Sequence, residues 1–148
     1  MARDFVYPAT LESNGEGGFL VKFPDLPDAF TEGDTIDEAL DMAADLLAEA
    51  ISARIDDQED IPQPSARVKG QYLIDVPVQT AAKAALYLAM RESGLTKVAL
   101  AQRLGWDEKE VRRLLNPRHQ SKVPRIAEAL SALGHRLSLR LTKDRKAA

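Results

Sequence analysis

The side chains best suited to recognition chemistry in this chain are Glu108, Lys109, Arg112 and Arg113. They fall on the outward side of a short predicted helix whose other side carries Val111, Leu114 and Leu115. Guanidinium and ammonium donors beside a carboxylate acceptor match the base edges displayed in the major groove of DNA. Lys97, at the start of the preceding helix, is placed to meet a phosphate. Arg113, Asn116, Arg118 and Lys122 continue along the nucleic-acid backbone. The alternative is a helical pair with a purely structural role, because any bundle of short helices produces similar spacings.

Catalytic chemistry finds less to work with. Without cysteine there are no thiolate ligands, disulfides or thiol nucleophiles. His119 and His135 stand sixteen positions apart with no ligand types clustered nearby. Both are expected at the surface, and His119 sits in a basic loop where it could touch a phosphate. A two-metal nuclease site needs clustered carboxylates, some on central strands, around ions about 4 Å apart. Here Asp4 and Glu12 flank the first predicted strand, and Asp25 and Asp28 belong to a loop. Most other acids lie on one helix or in the run Asp56, Asp57, Glu59 and Asp60. No catalytic residue, metal site or cofactor is expected, and the chain is read as a non-enzyme.

The elements that must position the recognition face read as two short helices and a turn, Leu95 to Asn116. Leu100, Leu104, Val111, Leu114 and Leu115 point inward, Ala101 is small where helices cross, and Gly105 provides the turn. Asp107 caps the second helix. The run LT-x-x-x-LA-x-x-LG from Leu95 to Gly105 resembles the helix-turn-helix of Cro/Xre-like phage repressors. Around it, Thr80 is read as the cap of a helix ending at Gly94, and Val123 to Leu133 as a further helix ending at Gly134. Trp106, in the turn, is read as a core residue.

Charge divides the chain. Residues 1–64 hold three basic and sixteen acidic side chains, a balance of −13, whereas residues 65–148 hold 17 basic and 7 acidic, a balance of +10. Two modules with different partners follow from such segregation: the basic part suits a polyanion, and the acidic part attracts a basic protein. A simpler alternative is that the two halves attract each other. No apolar run approaches the roughly 20 residues of a bilayer span. The N-terminus lacks a signal-peptide layout, so a cytoplasmic location is expected.

The acidic half begins with a strand from Phe5 to Glu12, in which Pro8 favours a sheet edge. Asn14 to Gly18 form a hairpin turn, and Phe19 to Phe23 return. The sequence PDLPDAF breaks the pairing, with a short third strand near Ala29 to Glu32. Thr35 and Glu38 form a capping box for a long amphipathic helix with Ile36, Ala39, Leu40, Ala43, Leu47, Ala50, Ile51 and Ile55 inward. Residues 56–70 read as a loop, and Gln71 to Val76 as a strand returning to the sheet. Tyr7-Pro8-Ala9, Gly17-Gly18, Phe23 to Pro27, Thr31, Gly33 to Thr35 and Glu38-Ala39 together resemble the HicB antitoxins. Asp28-Ala29 depart from the Gly-Cys that many members carry. The resemblance implies a partial ribonuclease-H-like fold that has lost nuclease activity and clamps a HicA toxin. HicA is a small ribonuclease with a catalytic histidine. On the toxin side, the resemblance and the acidity select Phe23, Pro24, Asp25, Leu26, Asp28 and Glu32.

The last segment, His135 to Leu141, alternates Leu137, Leu139 and Leu141 with polar residues. A lone strand cannot satisfy its backbone. It is therefore expected to pair with its twin in a homodimer, with a higher oligomer left open, presenting two recognition helices to a palindromic site. Pairing within its own chain is the alternative. Lys143 to Lys146 form a basic tail.

The whole reading is an α+β chain. Residues 1–77 form a HicB-like toxin-binding domain, an antiparallel sheet with one long helix. Residues 78–148 form a helix-turn-helix DNA-binding and dimerisation domain ending in a β-strand. The expected function is an antitoxin that neutralises an mRNA-cleaving HicA-like toxin and represses its own operon at double-stranded operator DNA. The rivals are a stand-alone repressor that senses a small ligand, which requires a pocket, and a nuclease.

Overall fold

The computed structural model describes residues 2–144, so Arg145 and Lys146 of the predicted basic tail lie outside the described residues. Two units divide the chain, Met1–Ala81 and Ala82–Ala148.

In the first unit, strands β1 (Val6–Ser13), β2 (Phe19–Phe23), β3 (Leu26–Gly33) and β4 (Tyr72–Asp75) form an antiparallel sheet in the order β3-β2-β1-β4. Helix α1 (Ile36–Asp56) lies across it, closest to β3. The hairpin between β1 and β2 is organised by Asn14, whose Oδ1 accepts from the backbone N–H of Glu16 (2.8 Å) and Gly18 (3.0 Å). Thr35 caps α1, its hydroxyl accepting from the Glu38 N–H at 3.1 Å. The turn from β3 into α1 is tight: a Cβ on Gly33 would stand 2.5 Å from the Ala39 nitrogen, so only glycine fits. Tyr7, Ala9, Val21, Phe23, Leu26 and Ile74 are buried in the sheet, and Ala39, Leu40, Ala43, Leu47, Ile51 and Ile55 along the helix.

Two expectations change here. The third strand begins at Leu26 rather than Ala29, because a bulge between Lys22 and Phe23 absorbs residues that sequence alone assigns to a break. Pro8 lies on an interior strand, not an edge strand. However, β1 pairs with β4 from Val6 to Ala9 and with β2 only from Thr10 onward. Pro8 therefore has a ladder on one side alone, where its missing N–H costs least.

Residues 58–71 form no regular element, yet they are fastened. Arg3 Nη2 donates to the carbonyls of Ile61 (2.9 Å) and Pro62 (3.0 Å), and the Tyr7 hydroxyl donates to Pro62 at 2.6 Å. Burial pushes the Tyr7 phenol above its ordinary value of 10.0. Asp25 holds the other side, accepting from Ser65 N–H at 3.0 Å and Ser65 Oγ at 3.1 Å.

Helix α2 (Val78–Ser93) runs across the division between the units. It starts two residues before Thr80, with the Pro77 carbonyl accepting from Ala81 N–H. Pro77 sets the entry to the helix, and Thr80 is an interior residue rather than a cap. Helices α3 (Lys97–Leu104), α4 (Glu108–Leu115) and α5 (Val123–Ala132) complete the second unit. Its core is built from Leu86, Met90, Leu100, Val111, Leu114, Ile126 and Leu130, with Ala82, Ala89, Ala101 and Ala129 where backbones approach. Leu104, Leu115 and Leu133 pack partly buried against it.

His135 to Leu141 form no strand in the single chain, so the expected element is not present as such. Leu137 rests partly buried on the helical core, whereas Leu139 is 83% and Leu141 100% exposed. An extended segment has no ladder to join without a neighbouring strand, and none lies beside it among the described residues.

Candidate functional site

The basic face is assembled on α4. Thr96 caps α3 by accepting from Ala99 N–H at 3.0 Å, and Gly105 ends it in the left-handed conformation with φ 71°. Asp107 then caps α4 through Lys109 N–H at 2.8 Å. With the register fixed in this way, Lys109, Arg112, Arg113 and Asn116 fall on one side of the helix axis and are all exposed. Val111 and Leu114 are buried on the other. Glu108 is half-buried, and its Oε1 lies 3.4 Å from Arg112 Nε one turn on. An exposed pair of this kind contributes only a few tenths of a kcal/mol. Its effect is to orient the guanidinium. Lys97 is exposed at the first turn of α3, and Arg118 and Lys122 are exposed after α4. Asn116 Oδ1 accepts from Arg118 N–H at 2.9 Å and shapes the turn that carries Arg118.

Two anchors hold α4 from behind. Glu110 pairs with Arg125 of α5, whose guanidinium lies 3.8 Å from the Trp106 ring centroid. Trp106 is therefore not fully in the core: it packs partly buried against it and is covered by a cation. The second anchor has no sequence signal. Lys83 of α2 is 1% exposed, and its ammonium donates to the Arg113 carbonyl (2.9 Å) and to Ser121 Oγ (2.7 Å). Burial pushes this lysine down from an ordinary 10.5 to about 8. The Arg113 carbonyl belongs to the last turn of α4, where carbonyls lack helical partners and the helix dipole favours a cation.

Neither histidine gathers a metal set. His119 is exposed with Nδ1 3.3 Å from Ser121 Oγ, and His135 Nε2 lies 3.7 Å from Glu92 Oε2. Among the described residues, no three His, Cys, Asp or Glu side chains converge on a metal position, and no helix is long and apolar enough to cross a membrane.

The second candidate surface is the sheet face turned away from α1. Register places Thr10, Glu12, Leu20, Lys22, Phe30, Glu32 and Leu73 on it. Phe30 is 65% exposed and Leu73 41%, beside an ion pair between Lys22 and Glu12 at 3.5 Å. Of the residues read as toxin-facing, Pro24, Asp28 and Glu32 are exposed. Phe23 and Leu26 are each 1% exposed, so their side chains hold the sheet to its helix, and Asp25 is committed to Ser65. Sequence reasoning missed Phe30 and Leu73. A hollow of about 210 Å³ opens beside Leu26, Asp28, Ala50, Arg54 and Glu59, smaller than the roughly 300–1,000 Å³ of ordinary small-molecule sites.

A family model described as HicB_like antitoxin of bacterial toxin-antitoxin system matches residues 6–85, from β1 into α2. Antitoxin HicB 1 of Photorhabdus laumondii subsp. laumondii is 44% identical over 133 residues, covering 90% of this chain and 84% of that protein. The chain belongs to the HicB family of antitoxins. Antitoxin HicB of Escherichia coli K12 is 40% identical to this HicB-family chain over 133 residues, 90% of it and 96% of the relative. Antitoxin HicB of Pseudomonas fluorescens Pf0-1 is 35% identical over 141 residues, 94% and 97%. These relatives extend the likeness through the helical unit, beyond the residues that the family model covers.

Proposed function

We propose that this chain is an antitoxin that binds and neutralises a HicA-like mRNA-cleaving toxin with its first unit and represses its own operon by sequence-specific DNA binding with its second. The observation that carries the reading is family membership over β1 to α2 in a chain whose two units offer opposite surfaces. One is a sheet face that carries Phe30 and Leu73 among Glu12, Lys22 and Glu32, and the other a basic helix face.

On the first unit, Phe30 on β3 and Leu73 on β4 are exposed apolar anchors on the two edge strands of the toxin surface, which also takes in Pro24, Asp28 and Glu32. An acid-rich domain draws a basic ribonuclease toward it and then excludes RNA from the covered site. The sheet would be a partial ribonuclease-H-like fold without nuclease chemistry. On the second unit, α3 and α4 act as a helix-turn-helix. Glu108, Lys109 and Arg112 meet base edges. Lys97, Arg113, Asn116, Arg118 and Lys122 follow phosphates. Leu137, Leu139 and Leu141 would pair two copies, so that the protein works as a cytoplasmic homodimer on a palindromic operator.

Co-expression with the product of the neighbouring reading frame, expected to be a small basic protein, tests the first half. Rescue of growth and a co-purifying complex are expected, and failure of both would overturn the antitoxin reading. Footprinting on DNA upstream of the coding frame tests the second half, with two protected half-sites about one helical turn apart expected.

A further inference from the structure

The segment after α4 carries Asn116, Arg118 and Lys122, yet has no regular structure until α5 begins at Val123. Helix α4 has eight residues, too few to be stable without tertiary anchors. Lys83 grips this region at both ends. Its ammonium reaches the Arg113 carbonyl before the loop and the Ser121 hydroxyl at its far end. The same carbonyl also accepts from Asn116 N–H at 3.3 Å, and the same hydroxyl meets His119. Nothing in packing calls for a cation here. Lys83 lies on α2 among Ala82, Ala84 and Leu86, all buried, where a methionine would fill the space. A buried ammonium is a poor source of stability, because its desolvation offsets its hydrogen bonds. It does fix geometry, since each acceptor must stay within bonding distance.

We propose that Lys83 is the positioning residue of the recognition surface. It holds the end of α4 and the loop through Ser121 in the one arrangement that sets Arg113, Asn116, Arg118 and Lys122 on phosphates together, and so fixes the register in which Glu108, Lys109 and Arg112 meet base edges. The inference rests on the DNA-binding reading and adds a residue that touches no DNA.

The test measures binding of the full chain to the duplex upstream of its coding frame and to an unrelated duplex of equal length. The wild type must prefer the first; equal binding would refute DNA recognition itself, before any variant is made. With that preference established, K83M is expected to weaken binding to the upstream duplex about tenfold while binding to the unrelated duplex holds, so the preference collapses. S121A, which removes one acceptor at the loop, should reduce the preference in the same direction by a smaller factor, and S121T should restore it. A merely structural role would lower the melting temperature and leave the preference of the folded protein intact. An unchanged preference in folded K83M overturns the proposal. Should K83M fail to fold, S121A decides alone: wild-type preference in that variant overturns the proposal equally.

Discussion

The two candidate surfaces are built on opposite plans. On the sheet face, register alone presents the functional side chains, since a strand paired on its neighbours carries Phe30 and Glu32 outward whatever their rotamers. On α4, two turns of helix must be held from three directions: Asp107 at the start, Arg125 at the side and Lys83 at the end. The difference suits the partners proposed for the two surfaces. A protein–protein contact draws most of its energy from a few apolar anchors and tolerates adjustment around them. Base recognition depends on bidentate donors placed to within hydrogen-bonding geometry. A sheet supplies area, and a buttressed helix supplies aim.

That contrast can be broken from either side. The largest effect is expected from F30D, which puts a charge on the more exposed of the two apolar anchors of the sheet face. Affinity for the toxin should fall by roughly 3 kcal/mol or more in a titration of the purified pair, with binding to upstream DNA unaltered. If DNA binding falls as well, the two surfaces are not independent. R112A should cost about 2 kcal/mol of operator binding and relax the preference at one base pair, read by binding to a set of single-base operator variants. Unchanged binding removes Arg112 from the reading set.

Lys83 gives a third handle, through pH. Its folded value of about 8 lies below the ordinary 10.5. Between those values the unfolded chain holds more protons than the folded one, and this group's contribution to stability rises with pH. Wild type should therefore gain on K83M by roughly 2–3 kcal/mol from pH 7 to pH 10, measured by urea unfolding at each pH. A constant difference would show that the lysine does not titrate in this window. The smallest effect belongs to K97A. It should lower affinity for all sequences by well under tenfold and reduce the slope of binding against salt by about one.

How much of this was legible in the sequence depended on how local the cause was. Thr35, Gly105 and Asp107 act within four residues of themselves, and their roles could be read directly. Phe30 could not. Leu26 and Phe30 are four apart and would share a face in a regular strand. The bulge at Lys22 and Phe23 places Leu26 in the core and Phe30 outside it. Lys83 was hidden for a different reason. In a run of alanines and leucines a lysine reads as the solvated position of a helix, and its acceptors lie 30 and 38 residues further on. The exposed charged face of α4 was legible because it is a pattern of three- and four-residue steps. On the sheet face the acidity is a matter of composition and was legible, but the exposed aromatic is a matter of register and was not.

The strand order carries a consequence for the making of the protein. β1 leaves the ribosome first, but its ladder to β4 joins Val6 to Asp75 and Tyr7 to Ile74. Phe5 likewise accepts from Val76 N–H at 2.9 Å, and Arg3 waits for Ile61 and Pro62. At roughly 5–20 residues per second, β1 spends several seconds without its β4 partners. The apolar strand of the acidic unit is thus available to other contacts during synthesis and closes only when translation has passed the joint.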